Sequence, residues 1–97
     1  DAGERWEQMR RARDAYLKGL DAVVSGRPGA GEESLWESVT ASADFPTGYS
    51  HLLGEAMATA SKDPRRAREI LGRLVRERPS VPVAGEVLRR MDVPSRP

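Results

Sequence analysis

Apolar residues recur along this chain at steps of three and four, and no segment alternates apolar and polar positions as a strand would. In residues 4–25 the stripe is Trp6, Met9, Ala12, Tyr16, Leu20 and Val23, with Arg10, Arg11, Arg13, Asp14 and Lys18 mostly elsewhere. That spacing predicts an amphipathic helix. Gly26-Arg27-Pro28-Gly29-Ala30-Gly31 then reads as a loop, because glycine frees the backbone and proline lacks an N–H. Residues 32–43 predict a second helix with Leu35, Trp36, Val39 and Ala43 inward. Ser34 and Glu37 have capping-box spacing, so its regular part is expected to start near Ser34.

Asp44-Phe45-Pro46-Thr47-Gly48 reads as a turn, since proline disfavours helix at the residue before it. Residues 48–61 predict a third helix, with Tyr49, Leu52, Leu53, Ala56, Met57 and Ala60 on its stripe. Gly54 inside it costs about 1 kcal/mol relative to alanine and is expected where another backbone comes close. Asp63 is a strong N-cap and Pro64 suits the first helical position, so a fourth helix is expected over 64–77, ended by Pro79. Its inward residues are Ala67, Ile70, Leu71, Leu74 and Val75. Ser80 can cap a fifth helix with Val83, Val87, Leu88 and Met91 inward, Pro82 being tolerable in a first turn. The expectation is an all-α chain of about five helices in one domain, 1–91: a hairpin over 4–43, a hairpin over 48–78 and a terminal helix over 80–91. Residues 92–97 carry two prolines and no apolar pattern, and are expected to fray.

Composition narrows the chemistry. In 97 residues, 38% are apolar, 5% aromatic and 32% charged, enough for one layer of helix-on-helix packing but lean for a deep pocket. The absence of cysteine excludes disulfides, thiolate zinc sites and a cysteine nucleophile. No apolar run approaches the roughly 20 residues that span a bilayer, so membrane insertion is not expected. The chain opens on Asp1, as would a domain of a longer protein or a processed chain. Net charge is +1 but unevenly spread: residues 1–60 carry six basic and ten acidic groups, residues 61–90 nine basic and four acidic.

No constellation of catalytic type emerges. The glycine-rich segment has no preceding strand and no Gly-Lys-Ser/Thr ending, so it does not read as a phosphate loop. His51 is the single histidine, and no nucleophile-elbow sequence is present to partner it. Glu55 lies one turn from His51, near enough for a hydrogen bond, but two ligands on one helix do not make a metal site. Glu32, Glu33 and Glu37 are expected near a helix start, where they favour the dipole. No catalytic residue, metal or cofactor is therefore expected. Arg66, Glu69, Arg73 and Glu77 alternate in sign along the fourth helix, a pattern of intrahelical pairing. Arg65, Arg68 and Arg76 are less compensated, and with Arg89 and Arg90 they form a candidate face for an anionic partner. Nucleic-acid binding usually brings a larger charge excess and exposed aromatics.

The third and fourth helices resemble a tetratricopeptide repeat, a family that pairs two antiparallel helices in about 34 residues. Leu53-Gly54 looks like the Leu-Gly pair of the family's first helix, with Met57 where an aromatic is usual. Ala67, Leu71, Leu74 and Pro79 match the small–large–small–Pro pattern of its second helix, with Leu74 larger than the usual alanine and one extra residue in the turn. In the earlier hairpin Ala12 and Tyr16 fit the first helix, and Leu35, Val39, Ser42 and Pro46 loosely fit the second. Pro46 and Pro79 lie 33 residues apart. The resemblance implies a short right-handed α-α superhelix with the fifth helix as a terminal cap. It implies a concave groove carrying Arg10, Asp14 and Lys18 from the first helix, His51, Glu55 and Thr59 from the third, and Glu86 and Arg90 from the fifth. Such a groove implies a non-catalytic adaptor that binds a polar peptide or helix of another protein. Two alternatives stand beside it. One is a structural subunit of a larger assembly, with Trp6 and Trp36 as core residues or interface anchors; the other is nucleic-acid binding through the arginine face.

Overall fold

The computed structural model describes residues 1–92, and these contain five helices and no strand. They are α1 (Ala2–Val24), α2 (Pro28–Ala41), α3 (Thr47–Thr59), α4 (Pro64–Glu77) and α5 (Val83–Met91). The expected fraying tail lies outside the described residues except for Asp92, which forms a turn after α5. The chain divides into two compact units, residues 1–51 and the residues from Leu52 onward. Among the described residues, the helix pairs whose backbones approach most closely are α1 with α2 and α4 with α5.

In the first unit, α1 starts two residues before the expected position because Asp1 caps it, its carboxylate accepting the Glu4 N–H at 2.9 Å. The helix closes at Gly26, whose φ of 82° lies in the left-handed region that glycine occupies without penalty. The expected loop then shrinks, for Pro28 takes the first position of α2, and Gly29, Ala30 and Gly31 are helical. Proline at that position gives up no intrahelical hydrogen bond and presets φ. Ser34 is thus inside α2 and does not cap it, and the first turn of α2 carries no carboxylate.

Packing explains why glycine is tolerated there. A Cβ on Gly31 would sit 2.7 Å from the Gly19 carbonyl oxygen and 2.7 Å from Val23 Cγ2. A Cβ on Gly19 would sit 2.9 Å from the Gly31 carbonyl oxygen and 3.0 Å from Leu35 Cγ. The two helices cross glycine on glycine, and the helix-propensity cost of each, about 1 kcal/mol, is offset by this close backbone approach. The face of α1 that buries is accordingly small: Ala12, Ala15, Gly19 and Ala22. It is rotated about a quarter turn from the stripe of large residues that periodicity picks out. On α2 the buried residues are Gly31, Leu35, Trp36, Ser38 and Val39, whereas Ala43 beyond its end is exposed. Buried Ser38 donates its hydroxyl to the Leu35 carbonyl, and Gly48 at the start of α3 packs directly on the Ser38 side chain. Ser42 Oγ accepts the Asp44 N–H at 3.0 Å and shapes the turn between α2 and α3.

In the second unit α4 occupies residues 64–77 as expected. Asp63 accepts the Arg66 N–H at 3.2 Å, Pro64 follows at the first position, and Ala67, Ile70, Leu71 and Leu74 are buried while Val75 is half-buried. Replacing Asp63 with alanine is expected to cost about 1 kcal/mol, because that N–H loses its acceptor. A lowered urea midpoint at unchanged slope would show it. α5 begins at Val83, with Pro82 and not Ser80 at its N-cap. It buries Ala84, whereas Val83 is exposed and Val87, Leu88 and Met91 are half-buried. Arg68 ties the end of α5 to α4 through an ion pair to Asp92 at 3.4 Å and a hydrogen bond to the Met91 carbonyl, where a cation meets the negative helix terminus. Gly54 has nothing within 4 Å of a built Cβ, so the close approach expected there is absent and occurs at Gly19 and Gly31. Leu52 and Ala56 are buried on α3, while Met57 is exposed.

Candidate functional site

The small-residue face of α1 turns its large apolar residues outward. Trp6 is 61% exposed, Leu17 54% and Val24 86%, with Met9 and Leu20 half-buried beside them. Trp36, by contrast, is buried in α2, so the two tryptophans divide between core and surface. Trp6 lines an open cleft of roughly 340 Å³ together with Ala2, Arg5, Met9 and Asp44. Arg5 Nε donates to Asp44 Oδ2 at 3.3 Å, which fixes an ion pair between α1 and the turn after α2 at the cleft wall. Ala2, Trp6 and Met9 give the cleft an apolar lining, and Arg5 and Asp44 give it a charged edge.

Next to the cleft a half-buried aromatic cluster holds α1, the α2–α3 turn and the start of α3 together. Tyr16 stands edge-on to Phe45 with centroids 5.9 Å apart and edge-on to His51 at 5.7 Å. Tyr16 Oη and His51 Nδ1 share a hydrogen bond at 3.3 Å. The histidine therefore finds its partner on α1.

Among the expected groove residues in the first unit, Arg10, Asp14 and Lys18 are exposed along α1, and Arg10 pairs with Glu7 at 2.9 Å. His51 is half-buried against Tyr16 instead of open to solvent. In the second unit Glu55, Glu86 and Arg90 are exposed and Thr59 is half-buried. Of the candidate anionic-partner face, Arg65 pairs with Glu69 at 3.6 Å and Arg68 with Asp92, and Arg76 is exposed in the last turn of α4. Arg65 and Arg68 thus already face carboxylates of their own chain. Among the described residues no three His, Asp or Glu side chains gather as a metal site would require, and no helix is long and apolar enough to cross a membrane.

No protein family, curated protein or solved structure matches this chain. What the site can do must therefore be read from its side chains. The Trp6 cleft has no signature in periodicity, because Trp6 falls on the same stripe as residues expected to be inward. The signal that could have found it is the parallel stripe of small residues, Ala12, Ala15, Gly19 and Ala22, which competes for the buried face.

Proposed function

We propose that this chain is a non-catalytic protein-interaction module whose contact surface is the outward face of α1. The observation that carries this reading is Trp6, 61% exposed over a cleft walled by the Arg5–Asp44 ion pair. A tryptophan left in water forgoes a large hydrophobic gain, and exposed tryptophan and arginine are the residues over-represented where binding energy concentrates. Arg10 and Asp14, about one and two turns further along α1, supply a mixed-sign polar flank that suits a polar peptide or an amphipathic helix. A divergent tetratricopeptide-like arrangement of the helices, in which α1 is the first helix of a hairpin, is part of the same proposal. Its support is the α1–α2 pairing, the short loops and the Asp63-Pro64 start of α4.

The test is affinity capture of the tagged chain from its native lysate, with nuclease present. Trp6→Ala is expected to reduce retention of its protein partner by about thirtyfold, the scale of losing an anchor worth 2 kcal/mol. Its circular dichroism and melting temperature should stay near those of the parent, because Trp6 is not a core residue. Equal retention by the two chains would remove the α1 face as the contact surface.

A further inference from the structure

We infer that the seam between α4 and α5 binds an acidic peptide segment of another protein, held by Arg76 and Arg89. This surface belongs to the second unit and does not rest on the reading of α1. Two contacts fix how the helices run past each other. Arg68 meets Asp92 at 3.4 Å, and a Cβ built on Gly85 would lie 3.9 Å from Val75 Cγ2. Positions 68, 72 and 75 share one edge of α4, and positions 85, 89 and 92 one edge of α5, because each set is spaced by three and four. The two edges therefore run antiparallel, with Gly72 and Arg89 nearly level between the two contacts. Side chains on a helix lean toward its N-terminus. Arg76 accordingly reaches back over Gly72, its Nη1 3.5 Å from a Cβ built there. Arg89 reaches back over Gly85 in the same way, its Nη1 at 3.8 Å. Both guanidinium groups thus stand along one seam that has a glycine on each side.

The nearby carboxylates are committed elsewhere. Asp63 caps α4, Glu69 pairs with Arg65 at 3.6 Å, Glu77 with Arg73 at 3.8 Å, and Asp92 with Arg68. Among the described residues Arg76 and Arg89 have no ion pair, and both are exposed. Glu86, one turn before Arg89, is exposed and pairs with neither. Two unneutralised cations on one seam set a field that favours a negative partner. Each arginine offers a planar fork of donors that a carboxylate accepts in pairs. The surroundings favour spaced carboxylates over a phosphate backbone. A duplex carries a charge about every 1.7 Å of its axis and would run on past Glu69, Glu86 and Asp92. The second unit has no aromatic residue on which the bases of a single strand could stack. A peptide with carboxylates a turn or two apart meets Arg76 and Arg89 without approaching the rest.

The test is fluorescence anisotropy of a labelled alanine–glutamate peptide, with glutamate at every fourth position, titrated with the whole chain. A Kd on the order of 100 μM is expected at about 50 mM salt, where surface charges are weakly screened. The same peptide with glutamine for glutamate should not bind. Arg76→Gln and Arg89→Gln should each weaken binding about threefold, and the double variant about tenfold. Glu86→Gln should strengthen it about twofold. Lys62→Gln removes an equal charge from the turn between α3 and α4 and should change nothing. All four positions are exposed, so the circular dichroism of the variants should match that of the parent. No binding of the glutamate peptide, indifference to the double variant, or equal weakening by Lys62→Gln would each overturn the inference. A DNA duplex bound more tightly than the peptide through the same two arginines would also overturn it and assign the seam to nucleic acid.

Discussion

Gly31→Ala should destabilise the first unit, while Gly29→Ala, two residues earlier in the same helix, should stabilise it or leave it unchanged. In an exposed helix either change would gain up to about 1 kcal/mol, since alanine loses less backbone freedom than glycine on folding. At Gly29 a built Cβ meets nothing within 4 Å, so part of that gain is free to appear. At Gly31 the same atom would lie 2.7 Å from the Gly19 carbonyl oxygen. That oxygen belongs to a helix backbone and cannot swing aside as the end of a long side chain could. α1 and α2 must move apart, and Ala15, Ala22 and Leu35 lose contact with them. The expected loss is about 1–3 kcal/mol, the usual cost of overpacking. Gly31→Val should cost more. Urea unfolding followed by tryptophan fluorescence reads this unit directly, because Trp6 and Trp36 both belong to it. Equal midpoints for the alanine variants at positions 29 and 31 would mean that the helices do not cross at their glycines.

Leu71→Ala carries the largest expected effect in the second unit. Leu71 is fully buried, in the middle of the α4 face that also carries Ala67, Ile70 and Leu74. Truncation removes three carbons from a packed interior and leaves a cavity, which costs about 2–5 kcal/mol. Small domains have only about 5–15 kcal/mol in total, so the helical signal at 222 nm should melt markedly earlier. Met57→Ala is the control. Met57 is a similar size but 56% exposed, and its loss should move the midpoint by no more than about 0.5 kcal/mol. Similar losses from both variants would show that α4 does not bury the core of its unit.

Much of the helical plan was legible in the residues alone, and the legible parts share a cause. The limits of α4 follow from Asp63, Pro64 and Pro79, because a cap and a proline act on backbone groups within one turn of themselves. The inward face of α4 was equally clear, since Ala67, Ile70, Leu71 and Leu74 have no rival stripe on a helix otherwise rich in arginine. Of the candidate site, the polar positions Arg10, Asp14 and Lys18 are legible from their place off the apolar stripe of α1, while the Trp6 cleft is not.

What the residues alone determined is therefore the number and kind of elements, and the ends set by Asp63, Pro64 and Gly26. What only the tertiary structure decided is which faces meet. α1 carries two stripes, one of large apolar residues and one of alanine and glycine. Hydrophobic periodicity weighs side chains by size and so favours the first. The partner helix decides otherwise: α2 presents Gly31 and can come within backbone contact only of a helix equally bare, so the stripe with Gly19 is buried and Trp6, Leu17 and Val24 are left in water. The same contact holds Gly31 in a helix that its propensity opposes, since the packing gain of a crossing belongs to two segments at once and neither one encodes it alone.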